Sequence, residues 1–293
     1  MVYDKESYRV FWGDIHLHTS FSIDNKYRDR MLYNPTHYCT YARDTNGLDF
    51  IGLTDHHEPW HPTHALTTDE WEETVMTVNK YNQTGRFVAL AGYEFRDRRG
   101  DTNVFLPGDH PTCVPESVDG LKKVWEYYRK TGEEVITIPH LHPYSNYEKP
   151  NAHLDRSPGY DVVWHPEDWD TIDPHFERAV EICSVWGRYE SYQNRPCPPS
   201  GMLKRNSVQD LLRRGHRLGI VGGSDGHKGN PGNACLVAVY AKELSRKAIF
   251  EGLRNRFCYG TTHARILLRL EINGSPMGSE IKTKGELSQG FLF

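Results

Sequence analysis

Five short apolar segments, each ending in a histidine or a carboxylate, constrain the fold of this chain more than any other feature. Each has the length and composition of a buried β-strand. The segments are residues 13–19, 51–57, 87–94, 135–142 and 219–227. Potential metal ligands at the C-terminal ends of several successive strands are typical of an active site on the C-terminal face of an α/β barrel.

The first segment ends with two histidines, His16 and His18. Side chains two residues apart in a strand point to the same face, so we expect both imidazoles to face in one direction. Neutral imidazole is the commonest metal ligand in proteins. The later segments end in further residues of ligand type, namely His56, Glu94, His140 or His142, Asp225 and His227. The sequence therefore predicts a metal site built from several strand ends.

Helical patterns alternate with these segments. Each begins near a residue that caps helices well and ends near Gly or Asn-Gly. The predicted helices are residues 34–44, 68–83, 117–130, 207–214 and 244–256. Strands that alternate with helices indicate parallel strands joined by right-handed crossovers, and hence an α/β fold.

The region 144–175 breaks this rhythm, because it is rich in Pro, Asp, Trp and Tyr and has no period. We expect a long insertion over the C-terminal face, where such loops often form lids or substrate walls. Its aromatic residues could stack a base or sugar ring, or pack the loop onto the barrel. We expect residues 1–270 to form the barrel and 271–293 to form a C-terminal tail, or the start of a β-rich extension.

Composition excludes several classes of function. The formal net charge of −4 over 293 residues gives no electrostatic case for nucleic acid or for an anionic membrane surface. The chain contains no run of 18 apolar residues, so no membrane span is expected. Six dispersed cysteines without a C-x-x-C pair indicate reduced, buried thiols, and we expect a cytoplasmic protein.

The order of these motifs resembles that of the polymerase and histidinol phosphatase (PHP) superfamily of metal-dependent phosphoesterases. The shared motifs lie at His16 and His18, at residues 54–56, at Glu94, at His140 and at residues 224–227. The closer resemblance is to the uncharacterised DUF3604 group, and it rests also on residues 180–182, 229–232 and 256–278. Membership implies a distorted (β/α)7 TIM-like barrel and a cluster of two or three divalent metal ions.

The resemblance also implies which residues bind the ions. A first site would comprise His16, His18, Glu94 and Asp225, and a second would join Glu94 to His140, with His142 as an alternative to His140. Many members complete the second site with another histidine, but Asp101 stands in the corresponding place here. A third site would comprise Asp24, His56 and His227.

Histidine and carboxylate ligands fit Mn, Fe or Zn and make the cysteines improbable as ligands. Such ions lower the pKa of bound water to ~7 and can support hydrolysis by a metal-bound hydroxide. We assign Asp225, Glu94 and His227 as candidate catalytic residues.

Recognition of phosphate requires cations near the metals. The candidates for substrate binding are Lys228, Arg188, His263, Arg265 and Arg96. Three carboxylates near the motifs have other expected roles. Asp14 would orient an imidazole or form hydrogen bonds with the backbone, and Asp55 would orient His56. Glu181 would either support a metal ligand or form a buried structural pair.

The sequence thus favours a metal-dependent phosphoesterase that cleaves a small phosphorylated molecule. An amidohydrolase-like hydrolase of a non-phosphate bond is an alternative, although no strand-end lysine of the kind that many such enzymes use is evident. A non-catalytic metal-binding module is the other alternative, but its ligand set should be degenerate, and only the Asp101 position departs from the expected pattern. Without a basic groove, a nucleic-acid substrate is not expected.

Overall fold

The computed structural model describes residues 7–59, 63–97, 100–140, 172–191, 207–282, 284 and 289–292. Most of the predicted insertion, His142 and the segment 192–206 lie outside the described residues. The strands are β1 (Arg9–Asp14), β2 (Phe50–Gly52), β3 (Val88–Asp97), β4 (Gly100–Leu106), β5 (Ile136–His140), β6 (Ala179–Glu181), β7 (Cys183–Ser184), β8 (Gly187–Arg188), β9 (Gly219–Val221), β10 (Leu236–Ala241), β11 (Cys258–Thr261), β12 (Arg269–Ile272), β13 (Ser275–Pro276) and β14 (Gln289–Leu292).

All five predicted helices are present. They are α1 (Pro35–Thr40), α2 (Thr68–Tyr81), α3 (Leu121–Thr131), α4 (Val208–Arg213) and α5 (Arg246–Arg254). Side-chain caps fix where helices begin, as at Thr67, whose hydroxyl accepts from the backbone N–H of Glu70 while the Glu70 carboxylate accepts from the N–H of Thr67. Two π-helical turns, Asn25–Asp29 and Tyr41–Thr45, complete the helical structure of the described ranges.

In the described part of the chain, the main sheet has nine strands in the order β11-β10-β1-β2-β3-β4-β5-β6-β9. Strand β4 runs antiparallel to both β3 and β5, and β10 runs antiparallel to both β1 and β11. The other neighbouring strands are parallel. Seven strands therefore share one direction, as expected for a (β/α)7 barrel, and β4 and β10 are two reversed strands that the sequence pattern did not reveal.

The two ends of this sheet lie against each other. A Cβ atom added to Gly260 of β11 would lie 2.8 Å from the backbone N of Gly222 and 2.8 Å from the backbone C of Val221 in β9. Such a close approach of two backbones requires glycine. The sheet is therefore curled into a nearly closed barrel, and the predicted α/β barrel class is confirmed.

The interior of the barrel changes from apolar to charged along each strand. One core cluster includes Val88 and Leu90 of β3 and Ile136 and Ile138 of β5. Because side chains alternate in a strand, Glu94 and His140 lie on the same faces as these apolar residues, farther along the chain. The period of two thus carries the strand-end residues into the mouth of the barrel.

The C-terminal strands form a separate three-stranded sheet in the order β13-β12-β14. Asn273 and Gly274 both adopt positive φ angles, +48° and +72°, at the turn between β12 and β13. The turn joins β12 and β13 into a hairpin, and the division of the chain at residue 270 stays a prediction. None of the helices in the described ranges is both long enough and apolar enough to cross a bilayer.

Candidate metal centre

The lone pairs of His16 and His18 are directed by neighbouring side chains. Nδ1 of His16 lies 2.9 Å from Oε2 of Glu181, so the proton is on Nδ1 and Nε2 carries the lone pair. Nδ1 of His18 lies 2.9 Å from Oγ of Ser22. The two Nε2 atoms then lie 3.2 Å apart and point toward the same space.

Two carboxylates face these Nε2 atoms. Oε1 of Glu94 lies 3.0 Å from Nε2 of His16, and Oδ1 of Asp225 lies 3.1 Å from Nε2 of His18. The cross distances, His16 to Asp225 and His18 to Glu94, are 3.6 Å and 3.5 Å. Ligands bound tetrahedrally at about 2.1 Å lie about 3.4 Å apart, so these distances fit one small divalent ion.

The hydrogen bonding of these buried polar atoms also fits a metal site. Oε1 of Glu94 and Nδ1 of His56 are buried and have no hydrogen-bond partner. A buried acceptor without a donor is costly unless a cation or proton lies beside it. We therefore find that the residues present suit a divalent cation.

A second group lies beside the first. Nε2 of His227 bonds to Oδ2 of Asp24, and Nε2 of His56 lies 3.6 Å from the same oxygen. The rings of His18 and His227 stack with centroids 4.3 Å apart, which joins the two groups into one cluster. The structure thus brings Asp24, His56 and His227 together, as the resemblance implied.

His140 lies next to the first group, at the end of β5. Its Nδ1 atom is 3.7 Å from Oε1 of Glu94 and 3.7 Å from Oδ2 of Asp225. Its Nε2 atom is 3.2 Å from the hydroxyl of Tyr189, a residue that no sequence pattern had indicated. His142 lies outside the described residues.

The charges of the cluster are strongly coupled. Burial would lower the pKa of His16, but the carboxylates of Asp225, Glu181 and Glu94 outweigh burial and raise it well above its usual value. Burial would raise the pKa of Asp225, but His16 and the other histidines hold it well below its usual value. The carboxylates are therefore anionic, as metal ligands must be.

Asp225 adopts a backbone conformation that is uncommon outside glycine, with φ at +51°. It follows β9, and its carboxylate is turned toward His16 and His18. Left-handed residues of this kind cluster at functional sites, where the surrounding structure holds them in place.

The other nearby carboxylates support the backbone of the site. Asp14 accepts hydrogen bonds from the backbone N–H groups of Ser224 and Gly232, at 2.9 Å and 2.7 Å. This is the backbone role that we had left open. Asp55 accepts from the N–H and the hydroxyl of Thr19 and so ties the loop after β1, instead of orienting His56.

Glu181 has the supporting role left open by the sequence. It ends β6, it is buried, and it holds the Nδ1 proton of His16. Ser22 does the same for His18 but carried no sequence signal, because serine is common in loops of every kind.

Asp101 and Arg96 form a buried ion pair at the edge of the cluster. Nε and one terminal nitrogen of Arg96 donate to the two oxygens of Asp101 at 2.5 Å and 2.8 Å. Asp101 also lies close enough to Glu94 and His140 for the three to form a potential metal-binding group.

The other candidate cations are not buried with the cluster. Lys228, Arg188, His263 and Arg265 are exposed. His263 bonds to the carbonyl of Gly232, and Arg265 donates to the carbonyl of Asn46. Of the five candidates, Arg96 is the one that the structure buries beside the centre, and the roles of all five stay predictions.

The chain matches a family model described as "Protein of unknown function (DUF3604)" over residues 52–192. That span includes His56, Glu94, Asp101, His140 and Glu181 of the centre. An uncharacterized protein of Chlamydia trachomatis serovar D is 30% identical over 83% of this chain. An uncharacterized protein of Chlamydia muridarum is 27% identical over 83% of this chain. This chain covers 39% of each of these relatives, or about two fifths of their length.

Two solved structures share the fold of this chain. A two-domain protein of Bacteroides vulgatus, containing a predicted PHP-like metal-dependent phosphoesterase, matches with a TM-score of 0.58 at 20% identity, over 90% of this chain and 68% of that one. PsfC from Pseudomonas syringae matches with a TM-score of 0.50 at 13% identity, over 87% of this chain and 92% of that one. The predicted resemblance to PHP-like proteins is confirmed at the level of the fold.

Proposed function

We propose that this chain is a metal-dependent phosphoesterase that hydrolyses a small phosphorylated substrate. The observation that carries the proposal is the convergence of His16, His18, Glu94 and Asp225, in which each imidazole Nε2 lies 3.0–3.6 Å from an oxygen of both carboxylates and the two Nε2 atoms lie 3.2 Å apart. The adjoining Asp24, His56 and His227 provide a second group at the same mouth of the barrel.

Divalent ions held by these two groups would supply Lewis acidity and lower the pKa of water in the site to ~7. The chain's own residues prepare the site for them. Glu181 fixes the tautomer of His16 by accepting the Nδ1 proton, and Glu94 and Asp225 contribute negative charge. His227, which is only partly buried, places Nε2 against the carboxylate of Asp24 in the second group.

A phosphoester is favoured over an amide for a reason of composition. Many barrel amidohydrolases use a lysine at a strand end, and none of the described strands that lead into the centre ends in lysine. The complete set of buried histidine and carboxylate ligands argues against a non-catalytic module with a degenerate metal site.

The cytoplasmic location and the small-molecule substrate are further parts of the proposal. The five described cysteines are all free thiols, which is consistent with a reducing compartment.

The test combines metal analysis with hydrolysis of an aryl phosphate monoester and a diester, with and without added Mn²⁺. We expect at least two equivalents of Mn, Fe or Zn and turnover stimulated by Mn²⁺. Full metal loading without hydrolysis of either ester would contradict the phosphoesterase proposal and favour hydrolysis of another bond. Metal content well below one equivalent that Mn²⁺ cannot restore would favour the non-catalytic module.

Substitution of the ligands links any activity to this centre. Asp225→Asn and His16→Ala should each abolish hydrolysis and leave a folded barrel, because each removes a donor from the first group. Asp119→Asn and His110→Ala, at exposed positions, are the matched controls and should retain activity. If Asp225→Asn keeps most of the activity, the assigned centre is wrong.

A further inference from the structure

A guanidinium group occupies one of the candidate metal-binding groups. Glu94, Asp101 and His140 come close enough to hold an ion together. Yet both oxygens of Asp101 already accept charge-assisted hydrogen bonds from Arg96. Arg96 and Asp101 are 7% and 1% exposed, so water screens this pair very little.

The register of the sheet places Arg96 and Asp101 opposite each other. Arg96 lies two residues after Glu94 on β3, and it is directly opposite Asp101 on β4. Asp101 in turn is directly opposite His140 on β5. Facing residues on neighbouring strands have Cβ atoms about 5 Å apart, so the arginine side chain meets the carboxylate without leaving the barrel.

A second carboxylate holds the guanidinium from the other side. Oε1 of Glu58 lies 3.8 Å from Nε of Arg96, and Oε2 of Glu58 lies 2.9 Å from Nδ1 of His64. Both Glu58 and His64 are buried. The guanidinium therefore has two carboxylates near it, and with Asp101 it forms the two-pronged geometry that arginine and carboxylate form best.

An ion at Glu94, Asp101 and His140 would have to share an oxygen of Asp101 with Arg96 or displace the guanidinium. It would also add two positive charges beside a buried cation. The other two groups contain no such competing cation among the described residues. In them, histidine nitrogens and carboxylate oxygens face one another directly.

We propose that the Arg96 guanidinium takes the place of a divalent ion at the Glu94–Asp101–His140 group, so that the centre binds two ions and Asp101 is not a metal ligand. This inference rests on the proposed function to the extent that the other two groups hold metal. His140 then serves the first group, where it lies 3.7 Å from both Glu94 and Asp225. Arg96 supplies the positive charge that the third ion would otherwise bring.

The test counts ions and does not depend on turnover. The purified chain and its variants are stripped of metal, dialysed to equilibrium against Mn²⁺, and analysed for bound manganese by mass spectrometry. We expect two equivalents in the unsubstituted chain and two in Asp101→Asn. We expect three in Arg96→Met, where Asp101 is released to join Glu94 and His140. Arg86→Met, at an exposed arginine, is the matched control and should bind two.

Three equivalents in the unsubstituted chain, with loss of one in Asp101→Asn, would overturn the proposal. So would an unchanged count of two in folded Arg96→Met. If Arg96→Met does not fold, Asp101→Asn decides alone, since an unchanged count supports the proposal and a loss contradicts it. Fewer than two equivalents in the unsubstituted chain would refute the two-ion centre itself, whereas two equivalents without phosphatase activity would refute only the proposed reaction.

Discussion

At the scale of single residues, the centre depends on which nitrogen of each histidine is left without a proton. Glu181 decides this for His16, because a carboxylate at 2.9 Å from Nδ1 keeps the proton there. Nε2 is then free to face Glu94 and Asp225. A partner of this kind fixes both the tautomer and the orientation of a ligand.

Glu181→Gln should weaken metal binding without unfolding the chain. The amide removes the negative charge that holds the Nδ1 proton, and loss of such partners typically reduces metal affinity 10–100-fold. Competition with a chromophoric chelator measures the change. Glu126→Gln, at an exposed position, is the control, and equal affinity for the two variants would contradict the role of Glu181.

Metal binding should release protons. The pKa of His16 is raised well above its usual value, since Asp225, Glu181 and Glu94 outweigh burial. Burial is likewise outweighed at His56, where Glu94 and Asp24 raise the pKa to about 9. The raised pKa of each imidazole favours its protonated form in the absence of metal, and a protonated imidazole must lose a proton to act as a ligand.

Apparent metal affinity should therefore rise with pH from about 6.5 to about 9. Titration calorimetry in two buffers of different ionisation enthalpy should show release of at least one proton per chain at pH 7.5. An affinity that stays constant over this range would contradict protonation of the two histidines.

At the scale of elements, strand register decides what reaches the mouth of the barrel. In β3, one face carries Val88 and Leu90 into the core and Glu94 and Arg96 into the centre. Gly92 lies between these two halves on the same face. It allows β3 to run close to its neighbours, because an added Cβ would lie 2.5 Å from the carbonyl oxygen of Val104 and 2.9 Å from that of Leu53.

Gly92→Ala should destabilise the barrel, since backbone atoms of two neighbouring strands cannot yield as a flexible side chain would. We expect the free energy of unfolding to fall by ~1–3 kcal/mol, as is typical of overpacking. Urea denaturation followed by circular dichroism measures it. Gly108→Ala is the matched control, because its nearest neighbouring atom would be 4.0 Å away, and equal stability of the two variants would contradict the close approach.

At the scale of the whole molecule, the interior contains an excess of negative charge. Among the described residues, nine carboxylates are buried against two arginines, Arg96 and Arg246. Buried anions are costly unless cations compensate them. The histidines compensate part of this charge when protonated, and bound metal ions would compensate it permanently.

Metal should therefore stabilise the fold as well as complete the site. An ion at 100 times its Kd adds ~2.7 kcal/mol, which corresponds to about 5–10 °C in Tm for a chain of this size. Differential scanning fluorimetry of the metal-free chain, with and without Mn²⁺, measures the shift. Asp225→Asn should lose most of it and Asp119→Asn should keep it, and equal shifts in both would place the stabilising ion elsewhere.

Much of this architecture was predictable from local pattern. The five helices follow from capping residues and periodicity, and the strand ends follow from apolar segments that stop at His, Asp or Glu. The reversed direction of β4 was not predictable, because a hairpin between β3 and β4 looks in sequence like one long apolar stretch with polar residues at its middle. The role of Asp55 was missed for a similar reason, since its partner Thr19 lies 36 residues away.

The sequence by itself determined the kinds of donor, their order along the chain and the strand ends that carry them, because these depend on residue type and on the short periods of strands and helices. The tertiary structure alone decided which donors meet. The curling of the sheet places His16, which follows β1, against Glu181 of β6 and Asp225 after β9, although 165 residues separate the first pair. It also decided that Asp101 faces Arg96, because strand register, which is set by long-range pairing, determines the partner of each buried charge.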